Sequence, residues 1–184
     1  MIKPKVKLTL DKPTHKKHLS HRQRLVNIFG KEDTHNSENP WEYRPHKSLF
    51  KSWLTTSLVN LTNHPQHQAK LNSRKSFEVY LRIVEEKEMK QIAAKNKHNA
   101  DLVSVLSFPC DMSDELGLAY IGDIVMCGRH IYNEASEMHI DPKIHWGHLF
   151  IHSLLHLSGW EHGKEMEELE NTIMQECGLP ALHN

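Results

Sequence analysis

The sequence predicts an α+β domain, a small mixed β-sheet packed with helices. Three observations carry this. Several short segments alternate apolar and polar residues with the period of a strand. Longer segments repeat apolar residues at the three-to-four spacing of a helix. The two kinds of segment do not alternate as βαβ units along the whole chain. The 184 residues are read as a single domain, 1–184, with one hydrophobic core.

In order, Val6, Leu8 and Leu10 mark a first strand. Asp11 to Pro45 is rich in His, Lys, Asn and Ser without clear period, and is read as a loop insertion at 11–45 with a short helix near Gln23–Phe29. Phe50, Trp53, Leu54, Leu58 and Leu61 predict a helix, with Ser48 as its N-cap. Asn63 to Ser76 is a polar connection. Phe77, Val79, Leu81 and Ile83 alternate strictly, as in a half-buried strand. A short helix follows over Glu85–Lys95, with Met89 and Ile92 inward. Leu102–Phe108 is a strand stopped by Pro109, and Ala119–Met126 another. Arg129–Met138 reads as a helix. Asp141 at N-cap and Pro142 at N1 open a long helix that runs to about Ser158 and stops at Gly159. The last helix spans Lys164–Cys177, with Met166, Leu169 and Ile173 facing in and Gly178 ending it.

Composition narrows the function classes. No run of eighteen apolar residues is present, so no membrane span is expected. The opening MIKPKVKLTL has no apolar core of a signal peptide. Three widely spaced cysteines suggest no disulfide framework, which points to a cytoplasmic protein. The net charge of zero hides an asymmetry. Residues 1–75 hold 15 Lys and Arg against 5 Asp and Glu, and residues 76–184 hold 8 against 18. A basic half can meet a polyanion such as RNA, or can be simply solvated.

The chemistry concentrates at the end of the long helix. His152 and His156 are four apart and share a face, so both can bind one ion. His148 lies a turn earlier. A helix rises about 1.5 Å per residue, which puts His148 and His156 roughly 12 Å apart, too far for one ion. Gly159 breaks the helix and lets the chain return His162 as a third ligand. Three histidines with one open position are the ligand set of a catalytic zinc, one ion per chain. In a chain with 16 His, the triple H-x3-H-x5-H arises by chance in only about one case in ten. The spacing is also that of metzincin proteases, but their glutamate base is replaced by Ser153. A zinc metalloprotease is therefore the weaker enzyme reading.

The motifs resemble the YbeY family of rRNA-maturation endoribonucleases. The family signature H-G-x-L-H-L-x-G-Y-D-H stands here as His152-Ser-Leu-Leu-His156-Leu-Ser-Gly159-Trp160-Glu161-His162. Its V-L-S-F-P and L-G-D-I-V-I blocks stand as Val105–Pro109 and Ile121–Met126. Departures are Ser153 for glycine, Trp160-Glu161 for Tyr-Asp, Val103-Ser104 for Thr-Asp, Ala93 for an asparagine and Lys97 for an arginine. The resemblance implies a zinc-dependent, single-strand-specific endoribonuclease. It implies action on the 3′ end of small-subunit (16S) rRNA and in ribosome quality control. The implied partners are the rRNA precursor and the small ribosomal subunit, with ribosomal proteins or a ribosome-assembly GTPase beside them. A non-catalytic ribosome-assembly factor is the non-enzymatic alternative.

Other residues carry two readings each. Lys97 is a phosphate contact of the catalytic site or a solvated lysine. Glu161 orients His162 from outside the coordination sphere, or faces solvent in the turn. His148 is read as packing or as an outer partner of the ligands. Trp160 anchors the turn or stacks a base. Ser107 and Phe108 line the cleft or pack at the strand end.

Overall fold

The computed structural model describes residues 5–11, 44–65, 76–96, 102–110 and 119–181. The expected helix at Gln23–Phe29, most of the 11–45 insertion, and Lys97 lie outside them. The elements are β1 (Lys5–Asp11), α1 (Lys47–Asn63), β2 (Ser76–Val84), α2 (Glu86–Lys95), β3 (Val105–Pro109), β4 (Tyr120–Cys127), α3 (Gly128–Glu137), α4 (Pro142–Leu157) and α5 (Lys164–Glu176).

The sheet is mixed, in the order β1-β2-β4-β3. β1 and β2 run parallel, as do β2 and β4. β3 is antiparallel to β4. The strict alternation of β2 buries Phe77, Val79, Leu81 and Ile83 on one face. Those residues join Phe50, Trp53, Trp146, Phe150 and Ile173 in the main core. Around Phe50, the rings of Trp53, Trp146 and Phe150 pack edge-to-face at 5.1–5.9 Å between centroids. A smaller cluster joins Val84, Leu106, Val125 and Cys127 to Met89 and Ala93 of α2. An α+β fold with a small mixed sheet and packed helices is thus what the chain adopts.

Two local expectations are corrected. The N-cap of α1 is His46, not Ser48: the His46 imidazole accepts from the Ser48 backbone N–H at 3.3 Å. An imidazole nitrogen thereby does what a serine oxygen usually does. The strand expected from Leu102 begins only at Val105. Its partner β4 becomes helix at Gly128, so Leu102 and Val103 have no ladder to join. Ser104 makes the last bond to β4, its carbonyl accepting from the Cys127 N–H at 2.8 Å, and gives its hydroxyl to Glu134.

α4 is the central helix, in contact with α1, α3, α5, β3 and β4. Its start is as expected: Asp141 Oδ1 accepts from the Lys143 N–H at 2.8 Å, and Pro142 sits in the first turn. No helix among the described residues is long and apolar enough to cross a membrane. Cys110, Cys127 and Cys177 are all free thiols.

Candidate metal centre

The end of α4 creates the site. Gly159 adopts φ 87°, a left-handed conformation that glycine tolerates without strain. The Gly159 N–H reaches the His156 carbonyl at 2.9 Å, and the Trp160 N–H reaches Leu155 at 3.1 Å. These two bonds make a Schellman turn, which closes the helix and reverses the chain. Trp160 is buried at this turn, with its ring 4.8 Å from that of His64. It therefore anchors the turn and does not offer a face to a base.

The reversal returns His162 to the helix. The ring centroids of His152, His156 and His162 lie 4.6–5.1 Å apart. One nitrogen from each lies within 4.8 Å of the other two. Two of these imidazoles are each held by the other ring nitrogen. His152 Nδ1 donates to Glu170 Oε1 at 3.1 Å, and His156 Nδ1 donates to the Trp160 carbonyl at 2.9 Å. With those tautomers, both Nε2 atoms carry lone pairs, and they face each other at 3.0 Å. Two facing lone pairs repel unless a cation shares them. The donor set thus fits a divalent metal with nitrogen affinity. Burial pulls the His156 pKa below its usual value, with help from the charges of His152 and His162 and opposition from the Trp160 bond. A neutral imidazole is the form that binds metal.

His148 does not join this set. Its Nε2 lies 3.5 Å from Glu170 Oε2. No sequence motif marks Glu170, yet its carboxylate meets both His148 and His152. It is 2 % exposed on α5. Burial works against its charge, but hydrogen bonds from His148 and His152 outweigh that and hold its pKa at about 2. A sequence signal is available all the same: Glu170 occupies the inward stripe of α5 with Met166, Leu169 and Ile173. A charged residue on an apolar stripe needs a partner.

Glu161 stands exposed next to His162 in the turn. Ser153 is buried, and its hydroxyl is spent on the Leu149 carbonyl at 2.8 Å. Ser107 and Phe108 are half-buried at the end of β3, with Phe108 packed on the smaller cluster. Beside His162, and not lined by His152 or His156, lies a groove of about 420 Å³ whose walls include Trp160, Glu161, His162, Lys164 and Glu165. A second buried network lies farther back on α4. His145 Nε2 meets Glu134 Oε2 at 2.8 Å, and Ser104 donates to the same oxygen. It ties α3, α4 and the approach to β3 together.

Fold and cluster together define an α+β protein with three histidines that could hold a metal ion where a helix turns back. The chain belongs to the YbeY endoribonuclease family: residues 42–178 match the family described as Endoribonuclease YbeY. It is 31 % identical over 140 residues to Endoribonuclease YbeY of Colwellia psychrerythraea, covering 73 % of this chain and 85 % of the relative. It is 38 % identical over 142 residues to Endoribonuclease YbeY of Pseudomonas fluorescens, covering 74 % and 86 %. The solution structure of TM1509 from Thermotoga maritima aligns with a TM-score of 0.50 at 20 % identity, covering 73 % of this chain and 85 % of that one. That last likeness speaks for the fold alone.

Proposed function

We propose that this protein is a zinc-dependent, single-strand-specific endoribonuclease acting in 3′-end maturation of small-subunit (16S) rRNA and in ribosome quality control. The observation that supports it is the facing pair of His152 and His156 nitrogens, with His162 completing the set, in a chain of an endoribonuclease family. Held there, a zinc ion supplies Lewis acidity to a phosphoryl oxygen. His152, His156 and His162 are the ligands in this reading. The groove beside His162 receives the scissile phosphate. Lys97 adds a positive charge to the same phosphate, and Glu161 orients His162. The buried, committed hydroxyl of Ser153 offers no general base at the position where a metzincin protease has one. Partners are the rRNA precursor and the small ribosomal subunit, with ribosomal proteins or an assembly GTPase alongside, in the cytoplasm.

The test is incubation of the metal-loaded protein with a labelled rRNA precursor, a duplex control and casein, with and without chelator. Cleavage of the single-stranded substrate alone, lost with chelator, is expected. Lys97→Arg should raise the single-turnover rate and Lys97→Ala should lower it, because a guanidinium grips two oxygens where an ammonium is a point charge. Intact RNA at full metal occupancy would leave a non-catalytic assembly factor as the reading. Cut casein would restore the protease.

A further inference from the structure

We propose that Glu170 is the positioning residue of the metal centre, holding His152 and His148 from behind so that His152 presents Nε2 to the ion. This rests on the metal-centre reading above. The histidines of α4 form one stripe: His145, His148, His152 and His156 follow at spacings of three, four and four. α5 packs against that helix and lays Glu170 over the middle of the stripe. The carboxylate divides its oxygens, Oε1 to His152 at 3.1 Å and Oε2 to His148 at 3.5 Å.

The geometry separates Glu170 from two other roles. It does not coordinate the ion of the three-histidine set, because it occupies His152 Nδ1 while Nε2 faces His156. It does not act as the base on substrate, because it is buried behind a ligand ring. Its buried charge is met by His148 and His152, and His152 is also in the three-histidine set, which ties the carboxylate to the metal centre; a fold-only role is what the melting temperature separates. A carboxylate behind a ligating imidazole fixes its tautomer and ring angle and raises its basicity. His148 Nε2 lies 3.5 Å from the second oxygen, an ion-pair distance.

The experiment uses the full-length protein, stripped and reloaded with zinc, and measures affinity by competition with a chromophoric chelator. The near-isosteric Glu170→Gln and the apolar Glu170→Leu are compared with wild type. The proposal expects affinity about 10- to 100-fold weaker in Glu170→Leu, a smaller loss in Glu170→Gln, and a changed ligand-field spectrum when cobalt replaces zinc. The melting temperature of the metal-free forms tests the fold separately. A purely structural role predicts the reverse, a lower melting temperature with wild-type zinc affinity and cobalt spectrum, and that result overturns the proposal. So does a stoichiometry of two ions in wild type falling to one in Glu170→Leu, which makes Glu170 a ligand with His148 and His152. A wild type that binds no metal removes this inference together with the metal-centre reading. A wild type that binds metal but cleaves no RNA removes only the nuclease.

Discussion

His156 and Glu170 respond to acid in opposite chemical senses but with the same consequence for stability. Burial lowers the pKa of His156 below 6.5, so the folded state favours the neutral ring. Its contribution is complete above that value and is lost as pH falls through the lower folded value. Glu170 moves from 4.5 to about 2, so the folded state favours the carboxylate. Its contribution is complete above 4.5 and is lost between 4.5 and about 2. Metal should leave first on acidification, when protons displace it from the imidazoles. Urea midpoints of the metal-free protein across this range should then show a further fall between 4.5 and about 2, absent in Glu170→Gln. Equal slopes in wild type and variant across that window would remove Glu170 from the account. The three clustered histidines are legible in the sequence because helix period and a breaking glycine are local signals. Glu170 is harder to see, since its partners are 18 and 22 positions away and only the packing of α5 on α4 brings them together.

At the scale of elements, the helix that carries His152 and His156 is legible because its ends are written in local chemistry. Asp141-Pro142 opens α4, and the Gly159 turn closes it. α5 closes in the same way: Gly178, at φ 72°, sends its N–H to Gln175, and Leu179 bonds back to Met174. The ends that escape the sequence are those decided by partners. The length of β3 depends on where β4 stops pairing, and the cap of α1 on a histidine outside the usual capping set. The α4 cap makes a measurable claim. Asp141→Ala removes the acceptor for the Lys143 N–H and should cost about 1 kcal/mol of stability. The cap lies more than two turns from His152, so zinc affinity should stay within about twofold of wild type. Urea unfolding of the metal-free variant checks the first part, and chelator competition the second. A large loss of affinity would mean that the ligands are strained by the N-terminal turn.

Across the molecule, the core among the described residues draws on β1 and on elements from α1 to α5, while the family match begins at residue 42. The stretch between β1 and α1 lies almost wholly outside that match. Its charge is uneven. Residues 12–31 hold six Lys and Arg and no Asp or Glu, whereas residues 32–43 hold four acids and no Lys or Arg. A basic tract of this kind in an RNA-acting protein is suited to phosphate contact, and such contact releases counterions. Excising residues 12–31 should leave the fold and zinc affinity in place. It should also weaken RNA binding and flatten the plot of log affinity against log salt. For a single strand, each lost phosphate contact lowers the slope by about 0.7. Three lost contacts would change it by about 2, well above the error of a filter-binding titration. An unaltered slope would place the RNA contacts elsewhere on the chain. A product that no longer melts cooperatively or binds zinc would show that 12–31 supports the core and is not an accessory arm.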